Sequence, residues 1–395
     1  MSGRARPEET PRGEVPGPGR YEVLARDGPA RTGLWRLAHG SVHTPAFMPV
    51  GTQGSVKGVS PAELEGLGAE IVLANAYHLY LRPGHELVRS LGGLHRFMDW
   101  QGPILTDSGG YQVFSLARIN RITDEGVEFR SHIDGSRHFI TPELVMEIEH
   151  ALGADVVMAF DECPPGEAER RAVSAAVDRT QTWLERCLQR IHSLETERGR
   201  QTLLPVLQGG VHLDLRLESL ERARGTNEWR GYGIGGLSVG EPRELTYEVL
   251  SGLGSELPDE GVRYLMGVGY PEDLIEAVRR GYDVFDCVAP TRNGRNGTAF
   301  TSTGQVNVKL ATWREEDGPI EVDCGCWGCR RFTRAYVRHL FVANELLGLR
   351  ILSIHNLHFL VDLMRRARAA IEEARFGAWA DEWLDRYRRG MREGA

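Results

Sequence analysis

The chain has 395 residues, 41% of them hydrophobic and 26% charged, so it can bury a large core as one α/β barrel domain or as two ordinary domains. Its formal net charge of −8 excludes attraction of nucleic acid by the field of the whole molecule, so such a partner would need a local basic patch. We find no apolar run of about 18 residues, so contact with a membrane is not expected.

The N-terminal residues mix charges with Pro and Gly and lack the apolar segment of a signal peptide. This composition predicts a disordered tail over residues 1–20. The chain has six cysteines, three of them within one hexapeptide, which favours a bound metal over a disulfide framework. The cysteine pattern therefore indicates a reducing cytoplasm.

Eight short apolar runs follow the tail, and each ends on a small or polar residue. Near-continuous runs of this length are typical of strands buried on both faces of a parallel sheet. With helical crossovers between them, eight such strands predict a (β/α)8 barrel, whereas an open doubly wound sheet explains the number less well. The runs are 46–50, 70–76, 103–107, 155–161, 202–208, 232–238, 263–269 and 282–286. The amphipathic stretches that predict helices are 61–67, 142–152, 168–191, 213–224 and 271–280.

Two segments interrupt the alternation of strands and helices. Residues 127–140 form two roughly alternating arms around Asp134-Gly135, so we predict a β-hairpin inserted after the third strand. Residues 296–354 hold the cysteine cluster. The predicted division is a catalytic barrel (21–300), a zinc-binding subdomain with a closing helix (301–375) and a C-terminal helix (376–395).

Chemistry in such barrels gathers at the C-terminal ends of the strands, so the last residues of the eight runs are the first candidates for a site. The polar and glycine residues at those ends are Asp107, Asp161, Glu162, Gln208, Gly235, Gly236, Gly267, Gly269 and Asp286. One strand-end Asp often serves as a helix N-cap, but several polar ends on one face favour a pocket. The glycines would let a flat ligand approach the backbone.

The pocket composition suits a purine. Asp107, Asp161 and Gln208 can pair with ring N–H groups and a carbonyl, and Tyr111 or Met266 can stack on the ring or simply pack. Asp107 and Asp286 form a pair suited to substitution at a sugar C1, where one carboxylate attacks and the other moves protons.

A basic segment follows Asp286. We interpret it as a loop with glycine hinges, in which Arg292 and Arg295 suggest a sugar linked through phosphodiesters rather than an oligosaccharide.

A metal centre is predicted by the sequence CGCWGC. Cys324, Cys326 and Cys329 can surround one tetrahedral ion, and a fourth ligand is needed. His355 is the best-placed candidate, with His339 and His358 as alternatives. Three cysteines and one histidine make a closed structural zinc site.

The motifs of the chain resemble those of the tRNA-guanine transglycosylases, also called queuine tRNA-ribosyltransferases, from about residue 21 to the C-terminal helices. In chain order they are LTDSGGYQVFS, MAFDEC, LQGG, GIGGLSVGE, YLMGVG, FDCVAPTRNGRNG, CGCWGC and LSIHNLHF. The resemblance implies a cytoplasmic homodimeric pentosyltransferase that acts on the anticodon loop of tRNAs with a GUN anticodon, in queuosine biosynthesis.

The resemblance also implies a mechanism. Asp286 would attack C1′ of guanosine-34 and release guanine, and Asp107 would be the general acid and base. The incoming base, 7-aminomethyl-7-deazaguanine (preQ1) in bacteria, would then displace the enzyme with retention of configuration.

The resemblance assigns roles to individual positions. Those matching purine recognition are Asp107, Ser108, Gly109, Gly110, Tyr111, Asp161, Gln208, Gly236, Leu237 and Met266. Those matching RNA contacts are Gly267, Val268, Gly269, Tyr270, Pro271, Glu272, Asp273, Thr291, Arg292, Asn293, Gly294 and Arg295. Those matching the ligands of one structural zinc ion per chain are Cys324, Cys326, Cys329 and His355.

Individual residues also bear on the family subtype and on two competing functions. Cys163 and Val239 resemble the bacterial base pocket, and the C-terminal helix leaves no room for the extra RNA-binding domains of archaeal relatives.

A zinc hydrolase on a barrel would need metal-binding histidines at strand ends, which His43 and His78 do not supply. A catalytically silent RNA-binding subunit would be expected to lack Asp107 or Asp286.

Overall fold

The computed structural model describes residues 19–116, 118–194, 201–238 and 240–393. The predicted disordered tail therefore lies almost entirely outside the described residues. Val239, which was predicted to belong to a bacterial base pocket, also lies outside them. The strands are β1 (Arg20–Asp27), β2 (Ala30–Leu37), β3 (Gly40–Thr44), β4 (Ala46–Met48), β5 (Val72–Asn75), β6 (Ile104–Asp107), β7 (Arg118–Ile122), β8 (Val127–Arg130), β9 (Arg137–Ile140), β10 (Val156–Met158), β11 (Thr202–Leu204), β12 (Val206–Leu207), β13 (Gly231–Ile234), β14 (Val262–Leu265), β15 (Val284–Asp286), β16 (Thr298–Thr301) and β17 (Gly304–Asn307).

Helices follow most of the parallel strands. They are α1 (Pro61–Gly66), α2 (Ala76–Leu81), α3 (His85–Ser90), α4 (Leu94–Met98), α5 (Gly110–Leu116), α6 (Pro142–Leu152), α7 (Arg170–Leu194), α8 (Leu213–Arg224), α9 (Arg243–Gly254), α10 (Pro271–Arg279), α11 (Ala289–Asn296), α12 (Arg334–Val342), α13 (Leu346–Glu372) and α14 (Phe376–Glu393), with a 3-10 helix at Ala311–Glu315. All five predicted helices are confirmed to within a few residues.

The parallel strands form a ring. Two parallel sheets have the orders β11-β10-β6-β5 and β12-β13-β14-β15-β4. They join on one side because β11 and β12 are two parts of one run interrupted at Pro205, which has no N–H to donate. On the other side, a parallel bridge pairs Val50 with Leu73 between β4 and β5. These links give the closed order of eight strand positions that a (β/α)8 barrel requires, and every predicted run contains a strand.

Local sequence explains where helices begin. In α1, Ser60 and Glu63 form a capping box, in which each side chain accepts from the backbone N–H of the other. In α6, the Thr141 hydroxyl caps the N–H of Leu144 at 3.2 Å, and Gly153 ends the helix in the left-handed conformation.

The N-terminal ends of the barrel strands are covered by an antiparallel sheet, β1-β2-β3, for which the sequence analysis predicted no strands. Tyr21 and Trp35 of this sheet belong to the same buried cluster as the side chains inside the ring. Arg31 donates to both carboxylate oxygens of Asp283, at 2.9 and 2.5 Å, and both residues are buried. This ion pair fixes the sheet to the start of β15.

The inserted hairpin is confirmed. β8 and β9 pair in antiparallel register, with Gly135 at positive φ in the turn between them. A third strand that was not predicted, β7, pairs with β8 and completes the small sheet.

The interpretation of the segment after Asp286 as a loop is wrong, because residues 289–296 form helix α11. Pro290 stands in its first turn, and Gly297 ends it at a φ of 90°. Gly294 is not a hinge: a Cβ there would lie 2.8 Å from the backbone N of Ser353 in α13. Close packing of two helices therefore requires this glycine.

Helix α13 is long and apolar enough, by length and composition alone, to cross a membrane. Its buried face instead packs against α11 and against strands β1, β2 and β4, which is typical of a core helix in a folded domain. The predicted domain boundaries remain predictions.

Candidate active site and metal centre

Asp107 ends β6 and is held by two amide groups. Asn75 at the end of β5 donates to its Oδ2 at 2.7 Å, and Gln112 of α5 donates to the same oxygen at 3.1 Å. Oδ1 is buried and accepts no hydrogen bond from the described residues. Burial, followed by the charge of Asp286, raises the pKa of Asp107 to about 8. This carboxyl therefore holds a proton near neutral pH.

Asp286 ends β15 and receives two hydrogen bonds on Oδ1. The Tyr264 hydroxyl and the N–H of Gly267 each donate at 2.7 Å. Burial raises the pKa of Asp286, whereas these two donors lower it. Donors that stabilise the ionised form favour an attacking carboxylate.

Asp161 and Gln208 lie side by side at the neighbouring strand ends. Both are buried, and the Gln208 amide donates to Asp161 Oδ2 at 2.7 Å. The Ser108 hydroxyl donates to the other oxygen at 3.4 Å. Burial raises the pKa of Asp161 to about 6, so it is mostly ionised at neutral pH and can accept N–H groups of a ligand. Gln208 Oε1 has no hydrogen-bond partner among the described residues.

Glycines bring the backbone close to these side chains. A Cβ on Gly110 would lie 2.5 Å from Asp161 Oδ1, and a Cβ on Gly236 would lie 2.4 Å from Gln208 Oε1. Gly109 and Gly236 also have positive φ values, of 83° and 64°. The predicted purine positions from β6, β10, β12 and β13 thus meet at one end of the ring of strands.

The two candidate stacking residues differ. Tyr111 is 52% exposed and leaves its ring free at the start of α5. Met266 is half-buried and packs against the apolar side chains inside the ring of strands. Its sulfur would lie 3.2 Å from a Cβ atom placed on Gly233. Leu237 is buried. Cys163, the other described residue of the predicted bacterial pocket, is buried after Asp161.

The first predicted RNA segment, 267–273, is only partly accessible. Gly267 and Tyr270 are exposed, while Val268, Gly269 and Pro271 are buried. The two acids of the segment are engaged within the protein: Arg388 and Arg243 donate to Glu272, and Tyr247 donates to Asp273. Gly267 and Tyr270 are therefore the members of the segment best placed to meet RNA.

The second predicted RNA segment lies along α11. Arg292 is exposed, and Arg295 is half-buried with an Nη1 that donates to no described residue. The Nδ2 of Asn293 is likewise buried without a partner among those residues. Thr291 and Gly294 are buried. Unused buried donors on the helix that follows Asp286 are suited to an acceptor-rich ligand.

The cysteine cluster forms a metal centre with His355. The Nδ1 of His355 lies 3.6, 3.6 and 3.3 Å from the sulfurs of Cys324, Cys326 and Cys329. A tetrahedral zinc ion would place nitrogen and sulfur ligands about 3.6 Å apart. The other ring nitrogen, Nε2, donates to the carbonyl of Phe300 at 2.8 Å, which leaves Nδ1 for the metal.

The rival histidines fit the metal centre less well. The Nδ1 of His358 lies 3.6 Å from the sulfur of Cys324, the one cysteine of the three that it contacts. His339 is not in the cluster of ligand atoms. Four protein ligands complete the coordination of zinc, so this centre is structural and leaves no position for a substrate.

A second group of metal-binding residue types, His39, His95 and Asp155, has a different geometry. The two imidazole rings stack with centroids 3.6 Å apart, so their lone pairs run side by side rather than converge. Asp155 joins both rings by hydrogen bonds, at 2.9 and 3.1 Å. This arrangement fits a hydrogen-bonded triad better than a metal.

Three residues that hold the candidate catalytic acids were missed by the sequence analysis. Asn75 ends β5 and is the last polar residue of the predicted run 70–76, so the strand-end criterion had the information to include it. Gln112 lies within the quoted motif LTDSGGYQVFS but received no role. Tyr264 lies inside a strand, where only the observed hydrogen bond to Asp286 distinguishes it from a core tyrosine.

The ring of strands gathers buried acids at one end, which is where enzymes of the (β/α)8 class have their active sites. The sequence pattern described as queuine tRNA-ribosyltransferase matches residues 27–389. Relatives carrying that name come from Desulforamulus reducens (54% identical, covering 91% of this chain and 96% of the relative), Moorella thermoacetica (52%, covering 94% and 98%) and Fusobacterium nucleatum (49%, covering 93% and 98%). The chain belongs to the queuine tRNA-ribosyltransferase family, the tRNA-guanine transglycosylases.

Proposed function

We propose that this protein exchanges guanine-34 in the anticodon loop of queuosine-type tRNAs for preQ1, through a covalent glycosyl-enzyme intermediate. The observation that carries the proposal is the unequal environment of two neighbouring acids. Burial and the charge of Asp286 raise the pKa of Asp107 to about 8, while Tyr264 and Gly267 donate to the Asp286 carboxylate. One acid is thus poised to move a proton and the other to attack.

The reaction divides into two displacements at C1′ of the ribose. The Asp286 carboxylate attacks C1′, the bond to N9 of guanine breaks, and Asp107 supplies a proton to the departing base. The incoming base loses its N9 proton to Asp107 and attacks C1′ from the side that guanine left, releasing Asp286. Two inversions leave the configuration retained.

Base recognition falls to the pocket beside these acids. Asp161 would accept the N–H groups of the pyrimidine ring shared by guanine and preQ1. Gln208 Oε1 has no partner among the described residues and is available to a donor on the base, while Nε2 uses one of its two N–H groups for Asp161. Tyr111 is exposed enough to cover the face of the ring.

The RNA would lie over α11 and the 267–270 turn. Arg292 and Arg295 can pair with phosphates or base edges next to position 34, and Gly267 adjoins the nucleophile. The net charge of −8 gives the molecule no general attraction for RNA, so recognition would depend on these local contacts.

The nucleophile is tested by trapping. When tRNA is incubated without an exchangeable second base, the wild type should form an RNA adduct that survives denaturing electrophoresis, and Asp286→Ala should form none. Asp317→Ala is the matched control and should behave as wild type, because Asp317 is an exposed acid that is not among the predicted site residues. An adduct with Asp286→Ala would remove Asp286 from the role of nucleophile.

The substrate is tested by incorporation of radiolabelled guanine into anticodon stem-loops. We expect label in loops that contain UGU around position 34 and none in loops with that sequence altered. Competition with preQ1 should suppress the labelling, whereas label that is indifferent to UGU would contradict the proposed recognition.

We also infer that the enzyme is a cytoplasmic homodimer without a membrane partner. Exposed large apolar side chains, including Val342 at 59% and Leu346 at 74%, supply surface for a second copy. The test is the mass in solution, for which a dimer gives twice the chain mass of 44.0 kDa. A mass that stays at that of one chain over the micromolar range would contradict the dimer.

A further inference from the structure

Arg216 is a fully buried arginine beside the base pocket that no step of the reaction above uses. It lies in α8, in the first turn after the segment that carries Gln208, and its exposed fraction is 0%. A buried guanidinium loses its hydration, so it must be compensated by acceptors arranged to fit its planar set of donors.

The acceptors are four backbone carbonyls that flank the pocket residues. Nη1 donates to the carbonyl of Leu207 at 3.0 Å and Nε to that of Gly210 at 2.7 Å, which are the residues before and shortly after Gln208. Nη2 donates to the carbonyls of Gly235 at 2.9 Å and Gly236 at 3.2 Å, at the end of the neighbouring strand. One side chain therefore ties the two strand ends that bear Gln208 and Gly236.

The backbone around Gln208 depends on this contact. Gly209 has a φ of 142°, and a Cβ there would lie 2.6 Å from Cγ of Arg216 and 2.8 Å from its backbone N. The chain thus turns tightly against α8 directly after Gln208. Gly235 and Gly236 in turn approach the amide of Gln208. A Cβ on Gly235 would lie 2.8 Å from Nε2 of Gln208, and a Cβ on Gly236 would lie 2.4 Å from its Oε1.

The peptide geometry gives these contacts a consequence for the pocket. In a trans peptide the N–H points opposite to the C=O. Because Arg216 draws the carbonyls of Gly235 and Gly236 towards α8, the N–H groups of Gly236 and Leu237 point away from it. Arg216 therefore determines which way two backbone donors face at a strand end assigned to the base.

We propose that Arg216 is a positioning residue for base recognition, which holds the Gln208 turn and the Gly235–Gly236 strand end in the one arrangement that binds the purine edge. This inference rests on the proposed function and deepens it. Lysine cannot reproduce the contacts of Arg216, because an ammonium group has three donors and no planar fork to span four carbonyls.

The test compares kinetic constants for the two substrates in Arg216→Met and Arg216→Lys. We expect the KM for guanine to rise about 10- to 100-fold in Arg216→Met, as for a lost set of charged hydrogen bonds, and the KM for tRNA to change less than about twofold. Arg216→Lys should give a smaller rise, since it keeps the charge and some of the contacts. Arg222→Met, on the same helix but paired with Asp178 at the surface, is the matched control and should leave both constants unchanged.

The outcomes separate the inference from the proposed function. A wild-type protein that incorporates no guanine into tRNA overturns the proposed function and the inference with it. Wild-type exchange combined with an unchanged guanine KM in Arg216→Met overturns the inference alone. A parallel loss of thermal stability, of affinity for tRNA and of turnover in both variants also overturns it, because that pattern belongs to a purely structural arginine.

Discussion

Asp107 is buried between groups that leave its charged form poorly stabilised, and this has a consequence for stability. Its pKa is raised from 3.8 to about 8 by burial and then by the charge of Asp286, so between these pH values the folded chain binds a proton that the unfolded chain has lost. The free energy of unfolding therefore falls as pH rises through that window. A carboxyl group with a pKa suited to proton transfer thus costs stability at neutral pH.

Asp107→Asn should remove that cost together with the activity. The variant should gain stability over wild type as pH rises from 5 to 8, by about 1–4 kcal/mol, because asparagine has no proton to lose. Denaturant unfolding at both pH values measures the difference, with the exposed Asp317→Asn as control. The same variant should exchange guanine at least about 100-fold more slowly while still binding tRNA. A difference in stability that is equal at both pH values would contradict the raised pKa.

At the residue scale, the sequence predicts correctly which side chains lie near one another where their positions are defined by topology. Asp107, Asp161, Gln208 and Asp286 were found because parallel strands in a barrel end on one face. The side chains that hold them were not found, because a hydrogen bond such as that from Tyr264 to Asp286 depends on how adjacent strands are registered. Periodicity along the chain contains no information about that register.

At the scale of elements, α13 connects the metal centre to the predicted RNA-binding helix. His355 of α13 is a metal ligand, and the next residue, Asn356, is buried and has three hydrogen bonds. Its Oδ1 accepts the N–H of Phe300 at 2.8 Å, and its Nδ2 donates to the carbonyls of Pro290 and Thr298 at 3.0 and 2.9 Å. One amide thus fixes the start of α11 and the strand β16 to the same helix.

Asn356→Leu should break this connection without changing side-chain volume greatly. It leaves a buried N–H and two carbonyls with fewer partners, so we expect a loss of about 2–4 kcal/mol of stability. Because Pro290 starts α11, the KM for tRNA should rise more than the KM for guanine. Equilibrium unfolding and steady-state kinetics measure the two effects, and Asn227→Leu at an exposed position is the control. Equal rises in both KM values would show that α11 has no special dependence on Asn356.

Strands and helices could be predicted where a single pattern of burial determines their residue pattern. The barrel strands are buried on both faces, so continuous apolar runs revealed all eight. In β1 the burial alternates and three of the four exposed residues are charged, so this strand contains no continuous apolar run. Helix α11 was missed because Gly and Asn have low helix propensity, and its packing on α13 overrides that preference.

At the scale of the whole molecule, the described residues bury several apolar clusters, the largest of which joins side chains of the barrel strands to α13. One cluster fills the ring interior, and another, containing Trp313, Ile320 and Leu340, lies around the metal centre. The zinc ligands come from residues 324–329 and from α13, and the His355 Nε2 donates to Phe300. The smaller core is thus built around the ion, while the barrel has its own strand pairing and apolar interior.

Removal of the metal should therefore loosen one part of the protein and spare the other. A chelator should withdraw about one zinc ion per chain, and amide hydrogen exchange should then accelerate in residues 298–342. Strands β5, β6, β13 and β14 should keep their protection, because their hydrogen bonds and core do not include the ligands. Added zinc is the control and should restore protection. Since α11 packs on α13, which holds His355, we expect affinity for tRNA to fall with the metal while guanine binding persists. Simultaneous loss of protection in the barrel strands would mean that the two cores unfold as one unit.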